Sequence, residues 1–392
     1  MRICVCTVVH HPEDARILHR QIRALLDAGH EVTYIAPFRA TNSTPWREVS
    51  PVDVPRATGR RRLRALRAAH RALEEHAAYA DLVLLHDPEL LVGLPRAVRR
   101  ATVVWDVHED TAAALAAKGW LPGPLAPLLR PLVRRLELRA ERRHHLLLAE
   151  DGYRDRFRRQ HPVVPNTTYV DERPPAAPGD RRVVYIGHLS AARGALDMIE
   201  TARLVAPEGV QVELIGSADP DIRPALREAQ LEGVLRWYGF VPNDRALRIA
   251  EGAMAGLALL HDEPNYRHSM PTKVVEYMAR GIPVITTPNP PAVAIVEPSG
   301  CGEVVPFGDP RAAAAAIRRL RTDTAHRTAM AERGHSTARA RFHWPTQAVP
   351  FVRQLETWAT GTTPATEPGT QTPSPLEGAT PQVSPEPSRR PA

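Results

Sequence analysis

The chain has 392 residues, enough for two domains of ordinary size. Its 51 basic against 44 acidic residues give a net charge of +7, which favours an anionic partner, but only 5% of residues are aromatic and no Lys/Arg run is interleaved with stacking side chains, so nucleic acid is excluded as an expected partner. No uncharged apolar stretch reaches 18 residues and three cysteines make no disulfide framework, so neither a transmembrane helix nor an oxidising compartment is expected; a cytoplasmic protein is.

MRICVCTVVH reads as a first strand over Ile3–Val9 rather than a signal peptide, with Cys4 and Cys6 on one face as buried thiols. A helix is predicted over Glu13–Ala28, ended by Gly29, then a strand over Glu31–Ala36. Beyond the loop Thr41–Pro55 come a basic helix over Arg61–Ala78, a strand over Leu82–Leu85, a short helix over Glu89–Arg99 and a strand over Thr102–Asp106. Apolar strands alternating with helices predict a parallel sheet covered on both faces, with ligands at the carboxyl ends of the strands. Those ends carry His10 and His11, then His86 and Asp87, then Asp106-Val107-His108-Glu109-Asp110.

The arginine-rich stretch 121–157 is expected to be an amphipathic helix. It rests either on its own domain or on anionic lipid. Asp171–Asp180, rich in proline, reads as a linker. A second series follows, with strands over Val183–Ile186, Val210–Ile215, Leu235–Tyr238 and Ala255–Leu260 and helices over Ala195–Leu204, Ile222–Gln230 and Arg245–Glu251. Pro310–Ala340 is predicted helical, and PTQAVPFVRQLETW forms a last helix. The expected organisation is a first domain over 1–170, a linker over 171–182, a second domain over 183–345, a helix over 346–360 and a tail over 361–392. The tail holds eight prolines in 32 residues and should be disordered.

The segment PTKVVEYMARGIPVI, Pro271–Ile285, carries the most chemistry. Lys273 is one of two lysines in a chain whose other 49 basic residues are arginine. A compact ammonium at a helix N-terminus suits a bound phosphate. Pro271 fits the first turn, Ser269 or Thr272 can cap, and Gly281 ends the helix in the left-handed region. Glu276 leaves the same face as Lys273 and can accept two hydrogen bonds from a vicinal diol such as a ribose. A plain i,i+3 ion pair between the two is the alternative. It would be worth only about 0.2–0.5 kcal/mol.

Taken together, YIGHLSAARGALDMIETA, RWYGFVPNDRALRIAEGAMAGLALL and PTKVVEYMARGIPVI resemble the family-4 retaining glycosyltransferases of the GT-B fold. HHPEDARILHRQIRALLDAGHEVTYIAP, HDPELL, VVWDVHED and FHWPTQAV are similar to other parts of the same family, so the likeness runs over roughly residues 1–358. The resemblance implies two Rossmann-like domains facing a cleft, the first for the acceptor and the second for a nucleotide-diphosphate sugar, with the last helix packing back on the first domain. A UDP- or GDP-sugar is the expected donor, and no cofactor or metal is implied. The charge of a helix dipole and of Arg and Lys side chains takes the metal's place at the diphosphate.

Carried over residue by residue, the resemblance gives Gly187, His188 and Gly194 to the phosphate loop and Arg193 and Lys273 to the diphosphate. His188 stands where the family usually has Arg. Thr272 and Pro271 fall at the start of the phosphate-facing helix, and Glu276 falls on the ribose-binding acid. His268 falls eight residues earlier, where the family usually has an acid, which leaves the donor sugar undefined. His108 falls near the reacting sugar, as a ligand of a donor hydroxyl or as a histidine satisfied at a domain edge. His10, His11 and His86 fall on the acceptor side, His86-Asp87 being equally readable as a helix cap. The acceptor, a lipid-linked glycan or a small molecule, is not encoded in any local pattern. A nucleotide-sugar 2-epimerase on the same architecture, or a nucleotide-sugar-binding protein without turnover, stays open.

Overall fold

The computed structural model describes residues 1–108, 126–263, 266–267, 270 and 272–361. Twelve strands are named among them: β1 (Arg2–Cys6), β2 (Glu31–Ala36), β3 (Val49–Asp53), β4 (Leu82–Leu85), β5 (Thr102–Val107), β6 (His145–Leu148), β7 (Arg182–Ile186), β8 (Gln211–Ile215), β9 (Leu235–Trp237), β10 (Ala255–Ala258), β11 (Val284–Thr286) and β12 (Gly302–Val304). They form two six-stranded sheets, ordered β3-β2-β1-β4-β5-β6 and β12-β11-β10-β7-β8-β9. Every pairing in both is parallel. This is the doubly wound, two-domain α/β architecture that the alternation predicts. The strand order reverses between β1 and β4 in the first sheet and between β7 and β10 in the second, and such switch points are where open α/β sheets leave a crevice.

The helices are α1 (Arg23–Asp27), α2 (Phe38–Thr41), α3 (Arg62–His76), α4 (Ala126–Arg143), α5 (Ala195–Val205), α6 (Arg223–Leu231), α7 (Asn243–Ala250), α8 (Thr272–Ala279), α9 (Pro290–Ser299), α10 (Pro310–Thr322), α11 (Thr324–Arg341) and α12 (Trp344–Thr360). Each sheet buries apolar side chains on both faces. Cys4 and Cys6 lie in one cluster with Leu73, while Ile3 and Val5 face Ile17 and Leu25 on the other side. That sorting follows from the two-residue period of a strand. Trp344, Phe351 and Leu355 of α12 join the cluster of the first sheet, so the last helix crosses back onto the first domain.

Several local expectations are corrected. β1 ends at Cys6, because the amides of Val8 and Val9 are bound by the Asp87 carboxylate instead of a neighbouring strand. The helix expected over Glu13–Ala28 starts only at Ile17, as a wide π-type turn over Ile17–Ile22 that tightens into α1. Glu89–Arg99 is two isolated turns, Pro88–Leu91 and Ala97–Arg100. Gly93, at φ +74°, and Pro95 interrupt it. Pro310–Ala340 is two helices parted at Asp323, whose carboxylate caps the second by accepting from the His326 amide at 2.8 Å. Gly281 does adopt the left-handed region, at φ +61°. A Cβ there would stand 2.5 Å from Pro175 of the segment entering the second domain.

Candidate active site

A cavity of about 350 Å³ lies between the domains, at both switch points. Its second-domain wall begins with the loop after β7. Gly187 has φ +134°, and a Cβ there would stand 3.4 Å from both Cε and Nζ of Lys273. Gly194, at φ +74°, opens α5, and a Cβ there would meet the Leu259 carbonyl oxygen at 2.0 Å. Between these glycines Arg193 turns into the cavity. Opposite, the N-terminus of α8 presents Thr272, Lys273 and Glu276 to the same space. Lys273 is 9% exposed, and its Nζ lies 5.0 Å from the centre of the Tyr185 ring. Burial and the nearby Arg193 push its pKa down to about 7, with Glu276 only partly offsetting them. A pair of cations crowded at the amino end of a helix is a place that lacks an anion.

The first-domain wall is a hydrogen-bonded chain of side chains from three strand ends. Asp106, at the end of β5, is fully buried. Arg16 grips it with two bonds of 2.7 Å, from Nε to Oδ2 and from Nη2 to Oδ1. Gln21 donates to Oδ2 at 3.0 Å, and His108 Nδ1 stands 3.2 Å from the same oxygen. Burial works to raise the Asp106 pKa, but Arg16 and the two histidines hold it well below the usual carboxylate range. For His108, burial works to lower the pKa, but the hydrogen bond and the charge of Asp106 together raise it above that of an ordinary imidazole. Its Nε2 lies 2.8 Å from Nε2 of His10, so one proton sits between the two rings. His10 Nε2 is in turn 3.3 Å from Asp87 Oδ1. The other Asp87 oxygen accepts from the Thr7 hydroxyl at 3.0 Å.

Of the side chains singled out from the sequence, the fold brings Gly187, Arg193, Thr272, Lys273, Glu276, His108 and His10 together around this cavity. Others stand elsewhere. His188 turns away into hydrogen bonds with Ser217 (2.9 Å) and Asp219 (2.8 Å), so its ring is not a cavity wall. His86 is 2% exposed and stacks behind His108 at 5.5 Å, which bars contact with an acceptor. His11 packs against Phe240 of the other domain, ring centres 5.4 Å apart. Asp87 caps no helix with its side chain, which binds the loop after β1 instead. His268 and Pro271 lie outside the described residues. Glu276 is not paired with Lys273 on the helix surface; Asn243 donates to its Oε1 at 3.1 Å and Arg20 of the first domain stands 3.6 Å from the same atom.

Asp14, Arg16, Arg20, Asn166 and Asn243 also line the cavity and were not foreseen. Arg16 and Arg20 fall in the run read as a helix, four positions apart and so on one face, and nothing local marks that face as turned to a cleft. His86, Asp106 and His108 have the residue types of a metal site and cluster within 4.8 Å. Both oxygens of Asp106 are already taken by Arg16, and a divalent cation would stand against that guanidinium.

Two facing α/β domains with a cleft between their switch points define the GT-B architecture. Residues 180–323, most of the second domain, match the family model described as Glycosyl transferases group 1. The amylovoran biosynthesis glycosyltransferase AmsK of Erwinia amylovora is 26% identical over 144 residues, 36% of this chain and 35% of that one. The chain therefore spans about a third of the length of this curated relative. Sucrose-phosphate synthase from Thermosynechococcus elongatus shares the fold with a TM-score of 0.72 at 18% identity, covering 92% of this chain and all 100% of that one. HepE of Anabaena, solved in complex with UDP-glucose, does so with a TM-score of 0.65 at 16% identity over 91% of this chain and 100% of its own.

Proposed function

We propose that the protein transfers a sugar from a nucleotide-diphosphate donor to an acceptor hydroxyl with retention of anomeric configuration. The observation that carries this reading is the meeting of Arg193, Lys273, Gly187 and the N-terminus of α8 on one wall, with His108 across the gap. The group 1 family match, a relative named for amylovoran biosynthesis and a neighbour bound to UDP-glucose support it. A UDP- or GDP-sugar is the donor class that fits, and polysaccharide or glycolipid assembly is the setting.

In this reading the diphosphate lies against Arg193, Lys273 and the helix N-terminus, which stabilise the charge that grows as the C1–O bond to phosphate breaks. The acceptor oxygen forms its bond to C1 on the face the phosphate leaves, and a phosphate oxygen takes the acceptor proton. His108, fixed by Asp106, holds a donor hydroxyl. Glu276 accepts from the ribose. Domain closure excludes water and completes the site. Melting shifts over UDP-, GDP-, ADP- and dTDP-sugars test the donor, since stabilisation follows occupancy. No shift with any of them would end the proposal, and product of inverted configuration would end its stereochemistry. Free nucleotide released without any acceptor would point to an epimerase instead.

The acceptor is proposed to be presented at an anionic lipid surface. Along α4 the acids turn inward and the arginines outward. Glu137 and Glu141 are each 2% exposed, the first held by Arg134 and Arg156 and the second by His161, while Arg135, Arg139, Arg142 and Arg143 are exposed beside Leu132. Residues 121–125 of the segment first singled out lie outside the described residues. Among the described residues no helix is long and apolar enough to cross a membrane.

A further inference from the structure

The donor-site acid Glu276 is met from the other domain. Arg20, in the wide turn before α1, points its guanidinium across the cleft, with Nη2 3.6 Å from Glu276 Oε1. Both residues are 6% exposed. At that separation the pair is a charge contact without a hydrogen bond. Among the described residues the guanidinium makes no hydrogen bond at all, and Glu276 is its one charge partner within 4 Å. Burial lowers the Arg20 pKa from its ordinary value, and Glu276 offsets this only in part. A buried guanidinium with five donors and no acceptor is costly, because its desolvation is uncompensated. The donors are not enclosed by protein; they face the cavity that also holds Lys273 and Arg193.

Glu276 is arranged to match. Its Oε1 already receives Asn243 at 3.1 Å and faces Arg20, which leaves Oε2 for a ligand hydroxyl. A ribose phosphate laid along this wall offers what Arg20 lacks, oxygen acceptors with negative charge nearby. Resting on the donor-site reading above, we propose that Arg20 is a nucleotide-binding residue supplied by the first domain, which grips the ribose-phosphate together with Glu276 and so makes nucleotide occupancy draw the two domains together. The energetic reason is that Arg20 and Glu276 can hold one ligand between them only when both domains face it, so binding and closure share one free energy. Tyr169, at the end of the first domain just before the linker, donates from its hydroxyl to the His19 carbonyl at 3.1 Å and ties the turn bearing Arg20 to the chain that leads into the linker.

The test is calorimetric titration of UDP and of GDP into the full chain and its Arg20→Met, Arg20→Lys and Arg23→Met variants, with small-angle scattering with and without nucleotide. Arg23, paired with Asp27 on the outer side of α1, is the control. The expected result is binding weakened about tenfold or more in Arg20→Met, retained within about threefold in Arg20→Lys and unchanged in Arg23→Met. Nucleotide should shrink the radius of gyration of the wild type but not of Arg20→Met. Wild-type affinity in Arg20→Met overturns the contact, and undiminished shrinkage in that variant overturns the closing role. If Arg20→Met has no cooperative melt, Arg20→Gln takes its place in both comparisons. A wild-type chain that binds neither nucleotide overturns the donor-site reading itself, whereas nucleotide binding lost in Lys273→Ala but kept in Arg20→Met overturns the Arg20 role alone.

Discussion

Lys273 is poised between two protonation states. In the empty cavity its pKa of about 7 leaves it largely uncharged at pH 8, since burial and Arg193 both oppose the ammonium. A diphosphate reverses that balance, so nucleotide binding should draw a proton onto Nζ. Calorimetry at pH 8 in buffers of different ionisation enthalpy should record uptake of about one proton per site, falling towards none near pH 5.5, where the amine is already charged. Lys273→Met should abolish the uptake. Lys273→Ala should cost about 2–4 kcal/mol of transition-state stabilisation, read as kcat/KM. A tenfold or smaller loss would count against its place at the diphosphate. The scarcity of lysine was visible in the sequence, but the depressed pKa was not. It depends on burial first and then on Arg193, eighty positions away in the chain.

The turns and strand ends decide what those residues can do. Gly194 combines a left-handed φ of +74° with a Cβ position 2.0 Å from the Leu259 carbonyl oxygen. Gly194→Ala should therefore lose about 1–3 kcal/mol in chemical denaturation and weaken nucleotide binding as the start of α5 shifts. At the end of β6, Glu150 is 6% exposed. Burial raises its pKa to about 8, against the pull of the Met270 amide and Arg16. The folded chain keeps this proton up to about pH 8, while the unfolded chain loses it near the ordinary 4.5. Between those values the native state binds more protons, so stability falls as pH rises. Denaturation at pH 5 and pH 8 should show that fall in the wild type and a shallower one in Glu150→Gln. β3 lies in the stretch read as the loop Thr41–Pro55 and β6 in the stretch 121–157 read as a helix, but the periodicity of most of these elements was legible. Their breaks were less so: the split at Asp323 and the two turns replacing Glu89–Arg99 depend on one cap and one Gly-Pro pair inside otherwise helical runs. The wide turn at Ile17 left no local signal, and nothing local marked Arg16 and Arg20 as facing the cleft.

For the molecule as a whole, two sheets with their switch points face to face place three histidine-bearing strand ends of one domain opposite the cationic wall of the other. The strand ends could be read from the sequence. That His86 lies behind His108 could not, because it depends on how the ends of β4 and β5 pack side by side, and that His11 meets Phe240 could not, because it depends on how the domains stack. The outward arginines of α4 make a prediction at this scale. Flotation with anionic vesicles should carry the protein upward at low salt, release it as salt rises, and fail for a variant with Arg135, Arg139 and Arg142 changed to glutamine. Binding indifferent to salt and lipid charge would refute the surface contact.

The return of α12 has a practical side. Trp344, Phe351 and Leu355 fill the core under β1 and α1 although they follow the second domain in the chain. Cutting the protein between its lobes would therefore leave the first half with an open apolar trough. A chimera meant to exchange the second domain must replace an internal block and keep the native carboxy-terminal helix with the amino-terminal lobe it completes.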